Sequence, residues 1–295
     1  MSAAMVEQVR RFNRTVTERV GALNARFLGL DRPLGEARLL WEIGPNGCEV
    51  RRLRARLGFD SGYLSRLLRG LEADGLVAVQ PGATDRRVRA VTLTAAGRVE
   101  RAALDRLSDA HARSLLAPLT GRQRDRLIEA MGTVERLLTA SLVEIGVSEP
   151  GGAAAQLCLK AYFAELETRF DDGFDTAEGL AGAAEYAAPG GLLLVARLRD
   201  EPVGCGALRF IDGEPSQVKR MWVARSARGL GLGRRLLAEL EERAREHGAT
   251  AIRLETNHVL SEAISLYRSA GYAEVPPFND EPYAHHWFEK PLPPR

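Results

Sequence analysis

The run Arg228-Gly229-Leu230-Gly231-Leu232-Gly233-Arg234 lies between an apolar-rich stretch ending at Met221-Trp222-Val223 and a long helical pattern. Strand, glycine loop and helix in that order make an anion site. Glycines let the backbone approach a ligand closely, and the first N–H groups of a helix lack intrahelical partners. With the positive end of the macrodipole they favour a phosphate. Two familiar nucleotide motifs do not account for the run. No Lys-Ser/Thr follows its last glycine, as a P-loop requires, and the early βαβ context of a dinucleotide fold is lacking. In the same half, residues 251–256, Ala-Ile-Arg-Leu-Glu-Thr, read as a further strand.

In Arg228, Gly231 and Gly233 the run resembles the acyl-coenzyme A pyrophosphate loop of the GNAT acetyltransferases, Arg/Gln-x-x-Gly-x-Gly/Ala. Residues 262–272, Glu-Ala-Ile-Ser-Leu-Tyr-Arg-Ser-Ala-Gly-Tyr, are similar to that family's helix Ala-x-x-Leu-Tyr-x-x-x-Gly-Phe/Tyr. The resemblance covers roughly residues 153–292 and implies acetyl-CoA as acyl donor, with a small amine or amino-acid-like acceptor. It implies that the N–H groups of 228–234 face the pyrophosphate. It also implies that the strand ending at Met221-Trp222-Val223 splays from Leu254-Glu255-Thr256 to admit pantetheine. A backbone N–H near 221–223 would then polarise the thioester carbonyl, and Tyr267 matches the phenol that protonates the departing thiolate, unless it is an aromatic packing residue.

Many GNAT enzymes carry a glutamate six residues before the valine that ends this strand. Here that position is Gln217, which takes no proton at neutral pH. Glu255 or Glu165 acting through water, or an amine that arrives neutral, are the remaining routes, and either glutamate could instead be a solvated or ion-paired carboxylate. The run 276–288, rich in aromatic and polar side chains, could wall an acceptor pocket through Phe278 and Asn279 together with Phe170 and Phe174, or pack as a last strand. Lys219 and Arg220 precede Met221, so that one of them can face the pocket and hold a substrate carboxylate. His285 and His286 are adjacent and without a carboxylate at ligand spacing, and no metal is expected.

The elements of the first half point elsewhere. Val6, Val9, Phe12, Val16, Val20, Leu23, Phe27 and Leu30 recur at helical steps and predict one long helix. Helices follow over 34–43, 50–57 and 61–72, the last capped by Asp60, and then two strands over 76–79 and 88–93 around a polar loop. In the capped helix Leu64, Leu67, Leu68 and Leu71 share one face. Ser61, Ser65, Arg66 and Arg69 fall mostly on another, where they can meet phosphates and base edges; Arg86 and Arg87 stand at the hairpin tip. This is the order of a winged helix-turn-helix. The motifs Tyr63-Leu64-Ser65-Arg66-Leu67-Leu68, Leu71-Glu72-x-x-Gly75-Leu76-Val77, Asp85-Arg86-Arg87 and Val91-Thr92-Leu93-Thr94-x-x-Gly97 resemble the MarR family over residues 1 to about 145. That resemblance implies a double-stranded DNA operator and a homodimer formed through long helices at 95–116 and 120–142.

Length and charge fit this division. The 295 residues suit two domains. Residues 1–147 carry 24 arginines and no lysine against 17 acids, whereas the remainder carries 17 basic and 22 acidic residues, so the positive half suits a polyanion. Residues 148–152 read as a linker between a domain at 1–147 and one at 153–295, with 144–147 sharing its turn-rich character. No strand is evident between Gly151 and Gln156, where a GNAT domain would open with one. Cys48, Cys158 and Cys205 are scattered and read as reduced thiols. Neither a signal peptide nor a membrane span is apparent, and the cytoplasm is the expected location. The fold class expected is thus a mainly α winged helix-turn-helix domain followed by an α+β domain with a mixed, mostly antiparallel sheet.

Overall fold

A computed structural model describes residues 2–22, 28, 32–81, 88–170, 182–211 and 213–293. The chain divides into two compact units, Met1–Glu129 and Ala130–Arg295.

In the first unit, α1 (Ala3–Arg19) is capped by the Ser2 side chain and buries none of its residues, leaving Met5, Val6, Val9, Phe12 and Val16 exposed. The apolar spacing suggested a longer helix; α1 stops because Gly21 takes a φ of 68°, which breaks the helical repeat. Leu23, Phe27 and Leu30 lie outside the described residues. α2 (Leu34–Ile43), α3 (Val50–Leu57) and α4 (Ser61–Ala73) follow, together with β1 (Cys48–Glu49), β2 (Val77–Pro81) and β3 (Arg89–Leu93) in a sheet of order β1-β3-β2. Leu39, Leu40, Leu53, Leu64, Leu68, Leu71 and Val91 are buried together beneath that sheet and form the core of the unit. Next come α5 (Ala95–Leu116) and α6 (Gly121–Ala140), the latter straddling the division between units. Gly97 in the first turn of α5 is required by space: a Cβ there would stand 1.9 Å from the carbonyl oxygen of Leu76.

The second unit is a seven-stranded sheet. β4 (Val143–Val147) precedes α7 (Ala153–Arg169), β5 (Gly191–Leu198), β6 (Glu201–Arg209) and β7 (Ser216–Val223). After these come α8 (Leu232–Glu246), β8 (Ala251–Thr256), α9 (Ser261–Ser269), β9 (Ala273–Val275) and β10 (His286–Pro291). The order is β4-β5-β6-β7-β8-β10-β9, antiparallel throughout except for the β7–β8 pair. The opening strand of the domain is therefore present, and it lies before Gly151 rather than between Gly151 and Gln156. Val143–Val147 pairs with Leu198 through Leu194, so residues 144–147 are sheet and not linker. Val143, Ile145 and Val147 alternate as a strand should, but Gly146 and the turn residues that follow at 148–152 give the stretch the character of a linker, and at the sheet edge only Val143 is fully buried.

Alternation along β5 and β6 separates two layers. Leu193, Val195, Cys205 and Ala207 pack with Leu159 and Phe163 of α7. Leu194, Ala196 and Leu208 pack with Leu236, Leu237 and Leu240 of α8 on the opposite face. Each fully buried Leu or Phe here contributes about 1.5–3 kcal/mol of transfer free energy. These layers fix the two strands that matter most. β7 and β8 pair only at Ser216–Ile252 and Gln217–Arg253, then separate. On its other side β7 carries a bulge, where Arg220 and Met221 together oppose Gly206, and Arg220 has a φ of 55°.

Candidate active site

Beside the start of α8 lies a channel of about 510 Å³, and Glu255 and Thr256, at the end of β8 that has parted from β7, line a smaller cavity next to it. Met221, Trp222 and Val223 line the channel from β7, and Arg228, Gly229, Gly231, Leu232, Gly233 and Arg234 from the loop and helix. Gly229 and Gly231 have φ values of 79° and 71°, which L side chains rarely adopt, and these bends turn the loop into the helix. Gly231 is the N-cap, and the N–H of Arg235 is the one that reaches back to its carbonyl. The preceding N–H groups of the helix therefore have no intrahelical acceptor and point out of its end. Gly233 lets α9 approach, since a Cβ there would meet Leu266 at 3.3 Å. Arg234 reaches across to Ser269, donating to its Oγ at 2.6 Å and its carbonyl at 3.3 Å. This cradle of bare backbone donors and two guanidinium groups suits a pyrophosphate. Leu230 of the same loop packs on the core and does not line the channel.

Glu165 of α7 closes one side. Arg228 Nη2 donates to both of its oxygens at 2.7 and 2.6 Å, Trp222 Nε1 donates at 3.0 Å, and Arg169 pairs with it at 3.5 Å. Burial alone would raise the Glu165 carboxyl, but the hydrogen bonds from Arg228 and Trp222 outweigh it and hold the group below the usual glutamate range. Glu165 is thus an anchored carboxylate and a weak base.

The smaller cavity, of about 100 Å³, meets the channel. Tyr162, Leu166, Met221, Leu260, Ala263 and Tyr267 line both. Tyr267 is 5% exposed, with its ring 6.0 Å from those of Tyr272 and Phe288. Burial pushes its phenol well above the ordinary tyrosine value, so it keeps its proton at neutral pH. Glu255 faces the second cavity with a side chain 7% exposed; it is paired with Lys219, which also lies 3.7 Å from Glu281. Phe170 and Tyr283 stand 5.8 Å apart on the same wall.

In the first unit, Asp60 accepts from the N–H of Tyr63 at 2.8 Å and starts α4. Leu64, Leu68 and Leu71 anchor the helix, Arg66 and Arg69 are exposed, and Ser65 is half-buried. Arg69 donates to the Ser65 carbonyl and Arg66 lies over the Tyr63 ring; neither pairs with a carboxylate among the described residues. By contrast Arg51 pairs with Glu49 and Arg56 with Glu42, so part of the arginine cluster in this unit is neutralised internally.

The sequence model of the acetyltransferase (GNAT) family matches residues 158–272, and that of the MarR family matches residues 28–88. An IAA acetyltransferase of Azospirillum brasilense is 43% identical over 104 residues, covering 34% of this chain and 67% of the relative. The chain belongs to the acetyltransferase (GNAT) family. Its first unit is a MarR-like region joined ahead of the GNAT domain. An uncharacterised N-acetyltransferase of Escherichia coli K12, YjgM, is 33% identical over 93 residues, which is 30% of this chain and 56% of the relative. A crystal structure of an acyl-CoA N-acyltransferase from Klebsiella pneumoniae is 28% identical with a TM-score of 0.42, covering 51% of this chain and 98% of that one.

Within the GNAT domain the structure brings Tyr267, Glu255, Lys219, Phe170 and Met221 around the smaller cavity. Phe278 is elsewhere, with Arg253 5.1 Å from its ring. Asn279 acts one layer back, donating to Glu255 at 3.4 Å and accepting from Trp287 at 2.8 Å. Phe174, Arg86 and Arg87 lie outside the described residues. Gln217 is 7% exposed at the closed end of the wedge and lines neither cavity, so its lack of a proton-accepting group says little about the site. Tyr162 and Asn257 have no functional reading in the sequence, and Glu281 and Tyr283 have one only as members of the run 276–288. Tyr162 and Tyr283 carried a signal in their aromatic character, whereas Asn257 and Glu281 carried none beyond their neighbours. Among the described residues no helix is long and apolar enough to cross a membrane.

Proposed function

We propose that this chain is a DNA-binding regulator whose GNAT domain transfers the acetyl group of acetyl-CoA to a small amine. The observation that carries this reading is the meeting of two cavities at a buried, protonated tyrosine, one cavity bounded by the glycine cradle and the other by Glu255. When bound, acetyl-CoA supplies an activated acetyl thioester. Backbone N–H groups of 221–223, on the edge of β7 that β8 leaves unpaired, would polarise its carbonyl. The amine nitrogen forms its bond to the acetyl carbon as the carbon–sulfur bond breaks. Glu255, through water, would take the proton lost by the amine, and Tyr267 would give one to the sulfur. Asn279 and Lys219 orient the Glu255 carboxylate.

Arg66 and Arg69, exposed and without acidic partners among the described residues, support operator binding by α4, with Ser61 and Ser65 on the same helix. The exposed apolar residues of α1 and of α6, including Ile128, Met131 and Leu137, support pairing with a second copy. The pairing of β4 with β5 supports a domain boundary before Val143.

The test is release of free thiol from acetyl-CoA by the full chain across a panel of amines and amino acids. Thiol release with one or more amines bears the reading out; none with any amine rejects it. A second reading, a domain that binds acetyl-CoA as a signal without turnover, draws support from the pairing of Glu255 with Lys219. It predicts a change in operator affinity on adding acetyl-CoA and no thiol release.

A further inference from the structure

Among the described residues, no ion pair or hydrogen bond holds the side chain of Arg220. Arg220 lines that cavity and not the channel beside α8. Its guanidinium carbon stands 5.0 Å from the ring centre of Phe163 and 5.8 Å from that of Tyr186. Aromatic faces attract a cation but leave its in-plane N–H groups without acceptors. Nε is buried with no hydrogen-bond partner, and no carboxylate among the described residues pairs with the guanidinium. Lys219, its neighbour in sequence, differs in this respect, being tied to Glu255 and near Glu281. Arginine does not lose its proton in a protein, so the charge is permanent, and an unpaired buried donor costs stability that a ligand can return.

The backbone supplies a second, independent observation. Arg220 occupies the left-handed region, with a φ of 55°, at the bulge opposite Gly206. A long side chain rarely adopts that conformation, and such strain persists where the surrounding structure over-determines it, often beside a ligand. Gly206 is constrained to match, since a Cβ there would meet Met221 Sδ at 2.8 Å and Leu240 at 2.9 Å. The bulge thereby turns the Arg220 side chain against Phe163 and Tyr186, while Met221 lines both cavities.

The same cavity contains a complementary charge. Glu255, Glu281 and Lys219 form a cluster of two carboxylates and one ammonium, net negative by one. Arg220 lines the cavity and carries its guanidinium at the cavity's edge, against Phe163 and Tyr186, which do not line it; with the excess anion inside, this arrangement suits a molecule carrying a carboxylate and an amine. Phe170 and Tyr283 offer an apolar wall for the rest of it.

We propose that the acceptor is an amino carboxylate whose carboxylate is taken by the Arg220 fork and whose amine lies on the Glu255 and Glu281 side, next to Tyr267. A planar guanidinium binds a carboxylate through two parallel N–H bonds, which fixes the orientation of the molecule as well as its affinity. This rests on the acetyltransferase reading and narrows its acceptor; Arg220 is then a specificity-determining residue.

The experiment uses the full chain and matched pairs differing only in the carboxylate: L-phenylalanine with phenethylamine, L-methionine with 3-(methylthio)propylamine, and each amino acid with its amide. Thiol release from acetyl-CoA gives kcat and KM, and melting temperature at saturating CoA gives binding without turnover. The carboxylate member of at least one pair is expected to lead in kcat/KM by about tenfold or more. Arg220→Gln should collapse that ratio toward one, chiefly through KM, and Arg220→Lys should leave an intermediate ratio. Preference for the amine lacking a carboxylate, or an Arg220→Gln variant that slows both members of a pair by the same factor, would overturn the proposal. If no amine releases thiol, the acetyltransferase reading is what fails, and the melting shifts decide the carboxylate site separately. Equal shifts within every pair would then overturn it. Should Arg220→Gln not fold, the wild-type ratios and Arg220→Lys still give the answer.

Discussion

Replacing Tyr267 by phenylalanine removes one oxygen and leaves the ring in place. That ring is 5% exposed and packed near Tyr272 and Phe288, so the apolar contacts survive and stability should hardly change. The chemistry should change greatly. A positioned general acid contributes about 10²- to 10⁴-fold to a rate, and a hundredfold loss corresponds to about 2.7 kcal/mol of transition-state stabilisation. Because burial raises the phenol above its ordinary value of about 10, wild-type activity should show no alkaline fall from this group below about pH 10. The assay is thiol release from acetyl-CoA by the full chain with its best amine, as kcat over pH 6–10, alongside the melting temperature. Tyr267→Phe is expected to lower kcat at least a hundredfold, with CoA affinity and melting temperature retained. A variant within about threefold of wild type at matched CoA affinity would refute the proton-donor role and leave Tyr267 as packing.

Three other expectations follow from particular contacts. Glu165 has a depressed folded-state value, so its contribution is present above the ordinary glutamate value of about 4.3 and is lost as the pH falls through the depressed one. Glu165→Gln should cost about 1–2 kcal/mol at pH 7, toward the lower end because Arg228 is 41% exposed, and the gap to wild type should close in acid; urea unfolding at pH 7 and pH 3 checks this. Gly97→Ala should destabilise the first unit by about 1–3 kcal/mol or prevent its folding, since the new methyl would collide with the Leu76 carbonyl; a variant as stable as wild type in denaturant would contradict that packing. Replacing Arg66 and Arg69 together by alanine should weaken binding to duplex DNA and flatten its salt dependence by about two units of slope in log–log form, read by titration at several salt concentrations.

Much of this was legible beforehand because it follows from short-range rules. The glycines at 229 and 231 announced positive φ, the alternation over 251–256 gave β8 its bounds, and Asp60 marked the start of α4. The family motifs carried the acyl donor. What escaped depended on contacts remote in sequence. β4 is an edge strand that runs directly into turn residues, and its pairing with β5 is what separates it from them. Phe278 lies on Arg253, away from both cavities, because an aromatic residue in a loop can find any nearby cation. Lys219 and Arg220 were indistinguishable as neighbours on a strand; the bulge separates them, giving one an acidic partner and the other two aromatic faces. Gln217 stands where β7 still pairs with β8, and distance along a strand does not say where the strand begins to part from its neighbour.

That parting has a thermodynamic consequence. Beyond Gln217 and Arg253, β7 and β8 leave ladder positions vacant in the middle of a sheet, not at its rim. A donor that lies along the vacant edge completes the sheet as a strand would, so occupancy becomes part of the cohesion of the fold. At a free donor concentration of 100 times Kd the native state gains about 2.7 kcal/mol. The resistance of the GNAT domain to unfolding and to proteolysis would then rise with the concentration of whatever ligand fills that edge, even when no acceptor is present.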